Sequence, residues 1–399
     1  MAHFLNHIYT GALSPFLPLI QSDLGLSYTE IGIITSVAVI AMTISHIIVG
    51  YLGDKGSRWR DGFISISILL SALAMILASY STSYLILAIF QFFLGVGASG
   101  YHPSVFPALA EKFPQRDLAK ATGIQAMGGL IGTAFIPFLG VTLLVALGGW
   151  RPSLIVLGLA GFLIFIPFII LMRYSKSGYE VGFIDQAEEC EGTDGWTKAY
   201  WLGLILKGVR GMSFNCTSLL MPLYLVETYS VNLVWAGYLT TILLSAGLFG
   251  EIVAASLSDK LNRRVPFLVL STGLVTPALL LLNYSLSEGA LILILIIIGF
   301  FFYLGVPPSN AYLTEVSPRR SRGLAFGLLF SVGALPGAVS PIIFGAIGDY
   351  FQGDLSASII FLVITTALAT FVALLMKDAK ITRSVIESPL CLDSPQPLE

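Results

Sequence analysis

Three charged residues stand where charge is expensive. Lys207, Arg210 and Glu251 fall inside long apolar stretches. A charge in hydrocarbon costs at least about 3 kcal/mol on insertion scales, so such side chains face a protein interior and mark the path of an ion or substrate. Lys207 and Arg210 are three apart and share a helix face. Lys207 is nine residues from Lys198, and Glu251 is eight from Asp259. At about 1.5 Å per residue both lie roughly 12 to 14 Å from their helix ends, so they can pair. Two cations against one acid leave one positive charge, which an anionic group on a substrate would balance. Arg210 would hold that group bidentately, while Glu251 exchanges Lys207 for a proton. In the simpler alternative Lys207 snorkels outward and Glu251 only fixes packing, which explains Lys207 better than Arg210.

A second set of polar residues flanks prolines. Tyr101 and His102 precede Pro103, and Ser309 and Asn310 follow Pro307 and Pro308. A proline inside a membrane helix frees backbone groups that need a protein or cavity partner, and matching breaks in two halves point to a transporter's binding site. A packing kink is the alternative. Tyr101, His102, Ser309 and Asn310 are thus candidate substrate contacts. His46 reads as a hydrogen-bonded bundle residue rather than a proton carrier. Glu227 and Glu288 sit at the outer ends of apolar stretches, where water solvates them.

The elements that must position these residues are helices in lipid. Of 399 residues 56% are hydrophobic and 11% charged, too few charges to build a water-facing surface. The net charge of −2 gives no basic footprint for nucleic acid. Cys190, Cys216 and Cys391 are scattered and odd in number, which suits free thiols rather than a disulfide framework or thiolate metal cluster. No HExxH, GxSxG or P-loop pattern occurs, so neither an enzyme nor an ATP-driven pump is expected, and no metal or cofactor is called for.

Apolar stretches of about 20 residues give twelve spans: 3–21, 30–52, 62–80, 84–110, 118–147, 151–173, then 198–226, 232–257, 266–284, 289–314, 322–348 and 356–376. The expected organisation is an all-α membrane protein with a six-helix bundle over 1–173 and an acidic linker over 174–196. A second six-helix bundle over 197–376 and a tail over 377–399 follow. Eighteen of the 21 Lys and Arg residues cluster in alternate loops, among them Lys55, Arg58 and Arg60, Lys260, Arg263 and Arg264, and Arg319 and Arg320. The positive-inside rule makes that side cytoplasmic, with both termini and the linker on it.

The halves repeat each other. An offset of 204 superimposes Gly95 on Gly299, Pro103 on Pro307, Glu111 on Glu315, Gly129 on Gly333 and Pro137 on Pro341. The same offset sets His3 and Asn6 opposite Lys207 and Arg210, and His7 adds a titratable donor to that region. Span 7 runs back to Lys198 while span 1 begins at its threshold, so a start upstream or a short first span is expected. At an offset of 205 the loop Leu52-Gly53-Asp54-Lys55-Gly56-Ser57-Arg58 matches Leu257-Ser258-Asp259-Lys260-Leu261-Asn262-Arg263.

The stretch from Gly50 to Arg60 resembles the signature loop of the major facilitator superfamily, and its weaker copy sits where that family repeats it. The resemblance covers nearly the whole chain and implies two pseudo-symmetric six-helix halves rocking around a central site lined by spans 1, 4, 7 and 10. Ala2-His3-Phe4-Leu5-Asn6 and Gly100-Tyr101-His102-Pro103 are similar to the fosmidomycin-resistance branch of efflux proteins. Gln91, however, stands where many proton-coupled exporters carry Arg, and His7 and Ser104 stand where that branch carries acids. Gly128, Gly129, Gly132 and Pro137 faintly resemble an antiporter motif, but small residues also simply allow close packing.

By the family's logic Asp54, Arg58 and Glu111, with Asp259, Arg263 and Glu315, gate the cytoplasmic face, since charge pairs in a partly dry interface bias a two-state equilibrium. Topology alone explains the cations but not an acid among them. The expected protein is a monomeric secondary active transporter in the cell membrane that moves a small, anionic organic solute with a proton as coupling ion. The rival is a membrane sensor on the same fold. Asp54→Asn is expected to lower flux in sealed liposomes without lowering expression; unchanged flux would reduce the loop to topology.

Overall fold

The structure is a computed structural model and describes residues 1–53, 56–113, 115–175, 193, 195–318, 325, 328–329 and 333–378. Its first span is α1 (Ala2–Gly11) and α2 (Leu17–Leu24), joined by a 3-10 turn at Ser14–Phe16, where Pro15 has no N–H for an α-helical bond. Gly25, in the left-handed region with φ 63, ends α2. Then come α3 (Tyr28–Gly53), α4 (Ser57–Ala78), α5 (Tyr84–Ser99) with α6 (His102–Lys112), α7 (Gln115–Leu147) and α8 (Trp150–Ser175).

The second half holds α9 (Lys198–Tyr229), α10 (Leu233–Leu261), α11 (Val265–Gly273) with α12 (Val275–Leu281), and α13 (Glu288–Leu304) with α14 (Val306–Glu315). It closes with α15 (Leu335–Tyr350) and α16 (Ser356–Leu374). Thr197 and Asn232 cap α9 and α10 with their side-chain oxygens.

Eight of these stretches are long and apolar enough to cross a membrane by length and composition. The others have identifiable reasons: α9 carries Lys207 and Arg210, and the first and ninth spans are interrupted. The ninth was expected to be continuous over 266–284, but it divides between Gly273 and Val275, two residues before Pro277, which cannot donate to the Gly273 carbonyl. The linker from 176 to 192 lies outside the described residues, as does much of the start of the eleventh span.

Packing repeats like the sequence. In the first half α1 packs on α7, α3 on α5, and α4 on α8; in the second, α9 packs on α15, α10 on α13, and α11 and α12 on α16. The two most extensive cross-half contacts are also related, α3 with α15 and α7 with α10. Glycine sets the closest approaches: a Cβ on Gly95 would strike the Ala38 carbonyl, and one on Gly299 the Leu243 carbonyl. Leu163, Ile166 and Phe371 on α8 and α16 are exposed, as residues facing lipid are.

The halves meet away from the basic loops. Tyr28 N and Thr29 N donate to the Asp349 carboxylate at 2.9 and 2.8 Å, the Tyr28 hydroxyl donates to Glu227 at 3.0 Å, and the Ser14 hydroxyl donates to the Leu219 carbonyl at 2.7 Å. Gly32 faces the Pro341 carbonyl and Gly345 the Tyr28 carbonyl so closely that neither has room for a Cβ. These hydrogen bonds between the two bundles all lie toward this end. Overpacking costs roughly 1–3 kcal/mol, so Gly32→Ala and Gly345→Ala are expected to lower transport about fivefold or more by prising α3 from α15. Gly289→Ala, which meets nothing within 4 Å, should not. Liposome flux at equal expression checks this, and wild-type rates in Gly345→Ala would contradict it.

Candidate functional site

Arg210, in the middle of α9, is buried, and its Nη2 donates to the Phe302 carbonyl, in the last turn of α13 before the break. Its guanidinium carbon lies 5.4 Å from the Phe214 ring centroid, a cation–π contact. Its Nε is buried without a hydrogen-bond partner. Gly305 makes room here, since a Cβ on it would meet Arg210 Nε at 3.2 Å and the Ser271 side chain as well. Glu251, half-buried on α10, acts electrostatically on Arg210, as does Tyr303. Lys207 lies one turn away on α9 and its charge bears on Arg210. The charge of Glu251 thus bears on Arg210; a pairing of Glu251 with Lys207 was the expectation.

The first half repeats this contact with a neutral residue. Asn6 Nδ2 donates to the Ala98 carbonyl at 2.9 Å, in the last turn of α5 before its break. Asn6 and Ala98 are the offset-204 counterparts of Arg210 and Phe302. One geometry thus serves both bundles, a side chain of the first helix closing a carbonyl beside the broken fourth helix. One copy carries charge.

Around Asn6 the structure gathers all four histidines. His7 Nε2 and His102 Nε2 lie 3.1 and 3.3 Å from His3 Nε2, and the His46 ring lies 5.8 Å from His102. Tyr101 stacks on His3 at 5.0 Å. Gln125 and Thr133 on α7 hold the Nδ1 atoms of His3 and His7 at 2.8 and 2.7 Å. The structure brings together His7, Tyr101 and His102, which were candidates on separate grounds, and adds His3; His46, Gln125 and Thr133 were not among the candidates. The i, i+4 spacing of His3 and His7 was the available signal, since it places both rings on one helix face. Asn310 is exposed, and the contacts of Tyr101 and His102 among the described residues are with the first bundle, so this structure does not show the facing of Asn310 with His102.

At the basic end Arg264 joins two acids, with Nη1 2.5 Å from Asp259 and Nε 2.9 Å from Glu315. Burial opposes its charge, but hydrogen bonds to Glu315 and then Asp259 outweigh it and hold the guanidinium above its ordinary range. Arg263, the expected partner, is exposed, and Arg58 is exposed too. The cluster ties α10 to α14 within one bundle, whereas a gate between bundles was expected. Asp54 and the Glu111 side chain lie outside the described residues; Arg60 is buried with its aliphatic chain against Gly53.

The model of the Major Facilitator Superfamily matches residues 1–341 and, in a second match, 203–389. The chain belongs to that superfamily. A Cupriavidus necator protein named probable sulfoacetate transporter is 25% identical over 86% of this chain and 84% of its own length. A sialic acid transporter of Escherichia coli is 24% identical over 94% of this chain and 91% of its own. Among solved structures, an inward-facing bacterial homologue of the human lysosomal transporter Spinster superposes with a TM-score of 0.79 at 18% identity, over 93% of this chain and 95% of that one. The fold is the major facilitator fold, and both of these curated relatives are named transporters.

Proposed function

We propose that the protein is a secondary active transporter that moves a small organic anion by alternating access, coupled to protons, in the cell membrane with both termini cytoplasmic. The bundles 1–173 and 197–376, joined by 174–196, would rock about the site, with the Asp54 loop gating the basic end and the Asp259, Arg264 and Glu315 cluster holding α10 to α14 beside it.

The observation that carries this reading is Arg210, a permanent charge buried at mid-span with its Nε unspent. A carboxylate or sulfonate fits the guanidinium's planar donors, and in a dry site such charge-assisted bonds are the strong ones. Sulfoacetate and sialic acid, named for two relatives, are both acids. In the empty site Glu251 is the counter-charge of Arg210. When the anion takes Arg210, Glu251 loses its partner and takes up a proton, and release reverses both steps. One proton then accompanies each monoanion, and the site keeps its net charge.

Uptake of labelled sulfoacetate and sialic acid into proteoliposomes tests this. Hydrogen bonds to a charged group contribute about 1.5–3 kcal/mol, so Arg210→Gln should lower uptake of the transported anion at least about tenfold. Arg210→Lys should not restore it. Glu251→Gln should still exchange anion across the membrane but should not accumulate it on a proton gradient. Wild-type flux and unchanged pH dependence in both Arg210→Gln and Glu251→Gln would refute the reading.

A further inference from the structure

The three histidines at the first bundle's broken helix converge through one atom each. His3 Nε2 is 3.1 Å from His7 Nε2 and 3.3 Å from His102 Nε2, and one ligand atom from each ring lies within 4.8 Å of the others. Hydrogen-bond partners fix two tautomers. His3 Nδ1 lies 2.8 Å from the Gln125 main-chain oxygen, which can only accept, so the hydrogen is on Nδ1. His7 Nδ1 lies 2.7 Å from Thr133 Oγ1, whose own hydrogen goes to the Gly129 carbonyl at 3.1 Å, so His7 also donates from Nδ1. The Gln125 amide is consistent once its oxygen is turned to accept from His3 and Tyr101.

Both Nε2 atoms then present lone pairs to one another across 3.1 Å. His102 can donate to His3, but no tautomer of His102 removes the clash between His3 and His7. A cation between the rings does. A proton bridges one nitrogen pair, whereas His3 Nε2 faces two. A metal with nitrogen ligands at about 2.0–2.1 Å in tetrahedral array sets them about 3.3–3.4 Å apart, close to the two separations observed.

We propose that His3, His7 and His102 form a three-imidazole site for a borderline divalent transition cation of the Zn²⁺ class. Gln125 and Thr133 orient the ligating rings through their far nitrogens, the arrangement that fixes metal-bound histidines elsewhere. Three neutral imidazoles leave a fourth position open for water or a carboxylate, and their half-buried rings keep the site reachable. His46 stands behind His102 and is not a ligand. The site is independent of Arg210, so it stands or falls apart from the anion reading.

The full-length protein, stripped with chelator, would be titrated with Zn²⁺ by calorimetry, and the Zn²⁺-loaded protein would be examined by X-ray absorption. The expected result is one Zn²⁺ per chain with three imidazole nitrogens at about 2.0–2.1 Å. Affinity should fall at least about tenfold in His3→Gln, His7→Gln and His102→Gln, and about 10- to 100-fold in Thr133→Val, which keeps all three rings. His46→Gln should bind as wild type. Circular dichroism and size exclusion on the metal-free proteins separate loss of ligand from loss of fold. Absence of stoichiometric Zn²⁺ in the folded wild type, or wild-type affinity in folded His7→Gln and Thr133→Val, would overturn the proposal.

Discussion

Backbone carbonyls in lipid have no water to turn to, and the architecture follows from where this chain lets them go. The fourth and tenth spans break just before Pro103 and Pro307, and last-turn carbonyls beside each break are met from inside the bundle. The first helix of each half supplies a donor, Asn6 to Ala98 and Arg210 to Phe302. A buried guanidinium is tolerated because one of its donors closes such a carbonyl and Phe214 covers its face. The donors left over are the ones the proposed anion site would use. The uncharged counterpart of Arg210 in the other half shows that the carbonyl alone does not require charge.

The duplication also sets how the molecule can move. The most extensive cross-half contacts, α3 with α15 and α7 with α10, are related by the same repeat; the tightest points are glycines against carbonyls in the first and Gly237 against the Val141 side chain in the second. Close packing of this kind has few intermediate arrangements, because a small displacement forfeits many contacts at once. At the other end, Asp259, Arg264 and Glu315 tie elements of a single bundle. A rocking motion between two stiff units is what such a distribution permits.

Much of the fold was legible in the residues. Apolar length gave the spans, the Lys and Arg pattern gave the two faces, and the recurrence of Gly95 and Pro103 at Gly299 and Pro307 gave the duplication. What escaped was rotation about helix axes. Depth along α9 is the same to within a turn for Lys207 and Arg210, but three residues turn a helix by about 300°, so the two cations differ by about 60° in heading, and the charge of Glu251 bears on Arg210. Arg263 and Arg264 lie in the turn between α10 and α11, where no helical period says which of two neighbours turns inward. His102 and Gln125 reach His3 across about a hundred residues of chain, and only the packing of α1 against α5 and α7 brings them there.

The central claim is that the buried charge of Arg210 makes the site selective for anions. Thermal unfolding of the purified wild-type protein, followed across a panel of small carboxylates, sulfonates and neutral molecules of matched size, tests it most directly, because a ligand that binds the native state raises its apparent stability. The account predicts that stabilisers are found among the acids and that their neutral amides or alcohols leave the unfolding temperature unchanged. Stabilisation by neutral solutes, with the matched anions inert, would contradict it.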